Sequence, residues 1–208
     1  MSDISIVIGN KNTSSWSLRG WLALKATGVA FEEIFVRLSR PETKAEVARH
    51  GAPTVPILKH KGSIVWETLA ICEFLAETYP AAALWPKDAQ ARALARAAAA
   101  EMHAGFAPLR ANMPMDMRAR KPGEGMADGV AANIERISAL WRMCRERYGK
   151  GGPFLFGGFG AVDAMFAPVV SRFVTYAPTL DANASAYRDA VWNWPAMAEW
   201  NRAAEREA

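Results

Sequence analysis

Cysteine is scarce in this chain of 208 residues. The two cysteines, Cys72 and Cys144, lie far apart and form neither a CxxC pair nor a spacing typical of metal ligands. This argues against a disulfide scaffold, a zinc site and dithiol redox chemistry. Both residues fall in segments with helical periodicity, so we expect thiols in or near the core.

Long apolar runs and segregated charge are also missing. No apolar run approaches the ~20 residues that cross a bilayer, and the opening Met-Ser-Asp-Ile is unlike a signal peptide. We therefore expect a cytoplasmic protein without a membrane partner. The net charge is +4 and the pI about 9.2, but basic residues are dispersed among acidic ones. Dispersion argues against nucleic-acid binding and favours a mildly positive cleft for anionic ligands.

Two domains are predicted, because the pattern changes after about residue 80. Before that point, β-type runs alternate with helical ones, and the order is βαβ-α-ββα, a thioredoxin-like α/β arrangement. The segments are strands at 4–8, 31–38, 57–60 and 63–66, a helix that follows the serine cluster at 13–17 and ends at Thr27-Gly28, a helix opened by Glu67-Thr68 and stopped by Pro80, and a short polar helix or irregular segment at 41–49.

The second half is rich in alanine and arginine, which favour helices. Residues 81–86 are interpreted as a linker, which gives domains at 1–80 and 87–208. Helices are predicted at 88–117, where Pro108 and Pro114 would bend or end the helix, and at 126–148, 161–176 and 195–207. The glycine-rich stretch 149–160 lacks the lysine and hydroxyl ending of a phosphate-binding loop, so we interpret it as a connection.

The stretch from Pro53 to Tyr79 is where chemistry is expected. If the Val55-Pro56 peptide is cis, as we predict, the Val55 N–H and C=O face outward and can pair with an extended ligand. At the start of the next helix, the Thr68 hydroxyl and free N–H groups would favour a carboxylate, while Glu67 would favour an ammonium. The alternative is that Thr68 only caps the helix and Glu67 is a solvated charge.

Two runs in this stretch carry a family resemblance: Val55-Pro56-Ile57-Leu58, and the segment VWETLAICEFLAE that contains Glu67-Thr68. They resemble the glutathione-binding core of the cytosolic glutathione S-transferase superfamily, which usually has Glu/Asp-Ser at the acidic-hydroxyl pair. The resemblance implies an all-helical C-terminal domain, glutathione as co-substrate, a small electrophile as second substrate, and a homodimer. This chain has Thr68 where the family usually has serine, and threonine keeps the hydroxyl.

A serine cluster precedes the first helix. From the residues alone, Ser14, Ser15 or Ser17 is a helix cap, or a hydroxyl that donates to an anionic sulfur. The run Ser14-Ser15-Trp16-Ser17-Leu18-Arg19 is similar to the serine motif of zeta-like and related serine-type transferases, which implies that Ser14 contacts the glutathione sulfur, with Ser15 as the alternative. Trp16 stands where zeta enzymes commonly have a cysteine, which weakens the expectation of zeta isomerase activity.

The remaining site residues are predicted more loosely. An electrophile pocket would be lined by apolar side chains, namely Trp16, Met102, Phe106, Met113 and Met117. The alternative is that these side chains belong to the core. His50 or Arg49 would bind the glycine carboxylate of glutathione. Asp163, which keeps the acid of a helix-capping box whose hydroxyl position is Gly160, is interpreted as structural.

Three functions are left open by the sequence. The first is a glutathione transferase that conjugates hydrophobic electrophiles. The second is a glutathione-dependent isomerase or reductase with the same glutathione site. The third is a non-catalytic module, which would not need the set of Ser14, Pro56, Glu67 and Thr68 together. A fold alone does not decide between them.

Overall fold

A four-stranded mixed sheet forms the first part of the protein in the computed structural model, which describes residues 3–207. The strand order is β2-β1-β3-β4, with β1 parallel to β2 and antiparallel to β3, and with β3 antiparallel to β4. The strands are β1 (Ile4–Ile8), β2 (Glu32–Phe35), β3 (Ile57–His60) and β4 (Ser63–Trp66). This topology agrees with the thioredoxin-like prediction, although β2 is shorter than the run 31–38.

Helices account for the other regular elements. Three helices belong with the sheet: α1 (Ser15–Ala26), α2 (Thr43–Ala48) and α3 (Thr68–Thr78). The later ones are α4 (Ala89–Ala104), α5 (Ala107–Asn112), α6 (Val130–Tyr148), α7 (Ala161–Tyr176), α8 (Ala182–Trp192) and α9 (Pro195–Glu205). Within residues 3–207, no helix is both long and apolar enough to cross a membrane.

The two faces of β1 are buried in different clusters because its side chains alternate between the faces. Ile6 and Ile8 belong to the main core, which continues through α1 into the helical part of the chain. Val7 packs on the opposite face with Val36 and Val47, in a small cluster beneath α2. The sheet is therefore covered on both sides.

Helix α7 lies at the centre of the helical part. Every residue from 161 to 173 is buried, and the helix packs against α1, α4 and α8. Arg19 on α1 donates from Nε to the Met165 carbonyl oxygen at 2.8 Å. Because the donor and acceptor are 146 residues apart and lie in different domains, the contact fixes the sheet domain on the helical one.

The predicted helix at 88–117 is wrong in its extent. Helix α4 ends at Ala104, and Phe106 has a left-handed backbone with φ of 60° that turns the chain into α5. Pro108 lies in the first turn of α5, where its missing N–H costs no hydrogen bond. Residues 113–129 are not helical, so α6 begins at Val130 rather than at 126.

Helix α8 is absent from the sequence-based prediction. It begins after Asp181, whose carboxylate accepts from the Ala184 N–H at 2.7 Å, and it buries Tyr187 and Val191. An N-cap aspartate followed by apolar residues at helical spacing was the signal that could have identified it.

Asp163 holds the start of α7, as predicted for a structural residue. Its carboxylate is fully buried and accepts from Gly160 N–H at 2.9 Å, Leu155 N–H at 3.1 Å and the Tyr187 hydroxyl at 3.0 Å. Burial raises the pKa of Asp163 to about 6, although these donors favour the charged form. Glycine suits position 160 because a Cβ there would lie 2.7 Å from the Leu84 carbonyl oxygen.

We predict that Tyr187→Phe destabilises the protein in a pH-dependent way. The folded-state pKa of Asp163 is raised, so burying its carboxylate costs stability above about pH 6, and that cost disappears as the pH falls below it. Removing the hydroxyl donor makes the charged form costlier still. The loss should be about 1.5 to 3 kcal/mol near neutral pH and smaller near pH ~5, measured by denaturant unfolding at both values.

Tyr176→Phe is the matched control, since that hydroxyl donates at 3.1 Å to the neutral Pro114 carbonyl oxygen. Its cost should be similar at both pH values. An equal pH dependence in the two variants would contradict the role given to Asp163.

Candidate active site

A cavity of about 210 Å³ lies between the sheet domain and α4. Its lining residues come from α1, the loop before β3, the junction of β4 with α3, and α4: Trp16, Thr54, Val55, Pro56, Glu67, Thr68 and His103. Five of these were predicted as site residues. A larger cavity of about 530 Å³ lies between α6 and the segment after α7, but no predicted site residue lines it.

The start of α3 gives this cavity its polar end. Glu67 is the exposed N-cap residue of the helix, with a φ of 65° and ψ of 122°, and its side chain makes no capping hydrogen bond. Thr68 is 1% exposed, and its Oγ1 has no hydrogen-bond partner within residues 3–207. A buried hydroxyl without a partner costs free energy, so this atom indicates a place for a polar ligand group.

The Val55-Pro56 peptide is cis, which confirms the prediction. Within the described chain, neither the Val55 N–H nor its C=O takes part in a hydrogen bond, and Val55 is one of the residues that line the cavity. Pro56 is buried against α1, where Gly20 makes room for it, because a Cβ on Gly20 would lie 2.9 Å from the Pro56 ring.

Ser14 is the N-cap of α1. Its Oγ accepts from Ser17 N–H at 3.4 Å and lies 2.8 Å from Ser17 Oγ, which in turn accepts from Gly9 N–H at 2.9 Å. Ser14 is 8% exposed, and neither Ser14 nor Ser15 lines the cavity. The geometry agrees with the capping alternative, and contact of either serine with sulfur stays a prediction.

The loop that leads into α1 is held by the C-terminal segment. Trp200 donates from Nε1 to the Lys11 carbonyl oxygen at 2.8 Å. The Glu207 carboxylate accepts from the N–H groups of Lys11 at 2.8 Å and Asn12 at 3.1 Å. The position of the α1 N-terminus therefore depends on residues near the other end of the chain.

Trp16 is surrounded by cations and an imidazole. Arg19 Cζ lies 4.4 Å and Arg110 Cζ 5.0 Å from the Trp16 ring centroid. The His103 ring centroid is 5.1 Å from that of Trp16. Cation–π attraction of this kind fixes an aromatic ring at a site.

Arg172, on α7, joins Arg19 and Arg110 in a group that we call the arginine cluster. Arg172 donates from Nε to the Met113 carbonyl oxygen at 2.7 Å, and none of the ion pairs within residues 3–207 involves the three arginines. Burial first, then Arg110, lowers the pKa of Arg172 to about 10. Burial first, then Arg172 and Arg110, lowers the pKa of Arg19 well below its ordinary value.

Several predicted site residues lie elsewhere. Met102 and Met113 are fully buried and Phe106 is 8% exposed, all three in the main core and none along the cavity, so their role in substrate binding stays a prediction. His50 also lies outside the lining, with Nδ1 at 3.3 Å from Lys59 Nζ, and Arg49 is exposed. Burial first, then Lys59, lowers the pKa of His50.

Thiol chemistry from the protein itself is disfavoured. Cys72 and Cys144 are free and buried, as expected, and burial raises the pKa of each thiol to about 12. Neither would be a thiolate at neutral pH. In the part of the chain that the structure describes, no group of three His, Cys, Asp or Glu side chains could hold a metal ion.

His103 and Thr54 are cavity residues that sequence reasoning missed. His103 Nδ1 is buried and has no hydrogen-bond partner within residues 3–207. The residue lies on α4, in a segment of alanines whose pattern indicates only a helix. Nothing local in the sequence distinguishes this histidine, because its position opposite Glu67 arises from domain packing.

Family models match both parts of the chain. Residues 13–78 match the glutathione S-transferase N-terminal domain, and residues 127–200 match the glutathione S-transferase C-terminal domain. A probable maleylacetoacetate isomerase of Caenorhabditis elegans is 33% identical over 143 residues, 67% of this chain and 65% of that protein. Maleylacetoacetate isomerase of Mus musculus is 33% identical over 103 residues, 48% of this chain and 47% of that protein. The chain thus spans about half to two thirds of these relatives.

Solved structures share the fold over almost the whole chain. A glutathione transferase homolog from Burkholderia with bound glutathione has a TM-score of 0.73 and 24% identity, with 98% of each chain covered. A theta class glutathione S-transferase from Xanthomonas axonopodis pv. citri, with glutathione bound, has a TM-score of 0.66 and 23% identity, covering 96% of this chain and 97% of that one. The predicted fold class is confirmed.

Thr68→Val should leave the unliganded protein as stable as the wild type, or more stable. The substitution keeps the shape of the side chain and removes a buried hydroxyl that has no partner, so no hydrogen bond is lost. Thermal unfolding without ligand measures the effect.

Thr175→Val provides the matched comparison. Thr175 is 2% exposed, and its hydroxyl donates to the Asp116 carbonyl oxygen at 2.9 Å, so its loss should cost about 1 to 3 kcal/mol. Equal destabilisation of the two variants would mean that the Thr68 hydroxyl has a partner after all.

Proposed function

Because the chain belongs to the glutathione S-transferase family, we propose that it is an enzyme that binds glutathione and adds its thiolate to a small electrophile. The observation that carries the proposal is the buried, unpartnered Thr68 hydroxyl at a cavity that is also lined by Val55, whose backbone N–H and C=O are unpaired in the described chain. These groups match what a γ-glutamyl peptide requires. The cavity lies where the two domains meet, a common position for small-molecule sites.

Each end of glutathione has a partner in this proposal. The Thr68 hydroxyl and the first N–H groups of α3 bind the γ-glutamyl carboxylate, and Glu67 binds the neighbouring ammonium. The Val55 backbone pairs with the cysteinyl unit as an added strand. His50 or Arg49 binds the glycine carboxylate, and Ser14 or Ser15 is the proposed partner of the sulfur.

Isomerisation of a carboxylate-bearing substrate is the second candidate, and the arginine cluster favours it over conjugation of neutral hydrophobic compounds. Arg19 and Arg172 are almost fully buried and donate to neutral carbonyl groups, without a carboxylate to balance their charge. Uncompensated buried charge is costly, so an anion is expected beside them. The relatives named maleylacetoacetate isomerase point to the same chemistry, since that name denotes a carboxylate anion.

The two reactions share their first step. A thiolate adds to a carbon–carbon double bond, and the bond that remains can rotate. In isomerisation the thiolate then leaves, so glutathione is regenerated; in conjugation the carbon–sulfur bond persists. Incubation with glutathione and a cis-configured unsaturated keto acid distinguishes them, with isomerisation expected without net loss of free thiol. Loss of one thiol per substrate would indicate conjugation, and no reaction despite bound glutathione would indicate a binding module.

A homodimer is also proposed, from the family resemblance. Ile64 and Trp66 on the edge strand β4 are 42% and 44% exposed, which is compatible with a partner surface. A monomer mass by light scattering at micromolar concentration would contradict it.

Glutathione binding itself is tested by calorimetry with Glu67→Ala. Loss of the carboxylate should weaken binding by about 1.5 to 3 kcal/mol, the range for a hydrogen bond to a charged group. Glu77→Ala is the control, because Glu77 is an exposed acid near the other end of the same helix. Wild-type affinity in Glu67→Ala, or no binding by the wild type, would refute the assignment.

A further inference from the structure

His103 is the cavity residue that the proposed glutathione contacts leave unused. Its Nδ1 has no partner, although the atom is buried and the residue faces the same 210 Å³ space as Thr68 and Val55. A buried imidazole nitrogen loses its hydrogen bond to water at a cost in free energy, which a polar ligand group in the cavity would offset.

The other two histidines of the chain differ from His103 in this respect. His50 Nδ1 lies 3.3 Å from Lys59 Nζ, and His60 Nε2 lies 3.4 Å from the Tyr79 hydroxyl. Neither lines the cavity. The unpaired imidazole therefore coincides with the proposed site.

The orientation of His103 is restrained from two directions. Its ring packs on Trp16, which is itself held by Arg19 and Arg110. Its backbone carbonyl oxygen accepts from Arg110 at 3.4 Å, where α4 ends. A side chain that is positioned before the ligand arrives is what proton transfer requires.

The sulfur of a bound glutathione needs a proton acceptor that the serines do not provide. A hydroxyl can stabilise a thiolate by donating to it, but it is a poor base near neutral pH. The Ser14 hydroxyl is also engaged with Ser17 in the helix cap. Histidine is the side chain that exchanges protons near neutral pH.

We propose, on the premise that glutathione occupies this cavity, that His103 is the general base that deprotonates its thiol. The S–H bond breaks, its electron pair stays on sulfur, and the proton forms an N–H bond at Nδ1. The imidazolium returns that proton to the carbanion formed by addition, or to the thiolate that leaves after isomerisation. No other reactant is needed.

Charged groups near the Trp16–His103 pair come from three elements. Arg19 on α1 and Arg110 on α5 lie against Trp16, and Glu67 at the start of α3 lines the same cavity. The two arginines attract the thiolate that the reaction forms, which favours loss of the proton from sulfur.

The test is the pH dependence of the bound thiol in His103→Asn and His103→Ala. Thiolate absorbance of enzyme-bound glutathione should titrate about one to two pH units higher than in the wild type, toward the ~8.5 of a free thiol. At neutral pH, kcat/KM should fall about 100-fold, and the loss should shrink as the pH rises. Added imidazole should restore part of the activity of His103→Ala.

Control measurements make the result decisive. Glutathione affinity by calorimetry should change little, since the peptide is held by other groups, and His60→Asn should behave as the wild type. A loss of kcat/KM that is the same at every pH would overturn the proposal, and so would a raised thiol pKa in Ser14→Ala but not in His103→Asn.

If the wild type bound no glutathione, the proposed function itself would fail. His103→Gln replaces any variant whose melting shows misfolding.

Discussion

The burial of helix α1 on two sides is the constraint on which the rest of the structure depends. Its residues 17–24 are all buried, because one side packs on the sheet and the other on α7 and α9. The Arg19 hydrogen bond to Met165 crosses this junction. The N-terminus of α1 is consequently fixed where both domains contribute to one cavity, which neither domain could form alone.

Buried polar atoms without a hydrogen-bond partner are informative because other buried polar groups of this protein do have partners. Asp163 has three donors, and Thr175 donates to a carbonyl oxygen. Five side chains within residues 3–207 have a buried polar atom without a partner: Thr68, Trp85, His103, Trp141 and Asn201. Two of them, Thr68 and His103, share one cavity, and the other three do not line it. That coincidence distinguishes a ligand site from isolated packing defects.

The sequence predicted the parts of the molecule that are specified locally. The hairpin, the cis Val55-Pro56 bond and the start of α3 lie within 14 consecutive residues, 55–68, and all were recognised. The break between α4 and α5 was predicted near Pro108, but its exact place was missed because it depends on the left-handed backbone of Phe106. His103 of α4, which lines the cavity, was missed for a similar reason, since periodicity gives the face of a helix but not what that face contacts.

This difference between local and dispersed residues bears on how far family membership constrains function. The proposed glutathione contacts come mainly from one short segment, residues 55–68, so a family pattern can carry them intact. The other side of the cavity is lined by Trp16 of α1 and His103 of α4, and Arg110 of α5 lies against Trp16. None of these three residues belongs to the hairpin or to α3, so each can change without altering that segment. Under the proposed function, the charge and proton chemistry of these residues, rather than the shared fold, would select the reaction.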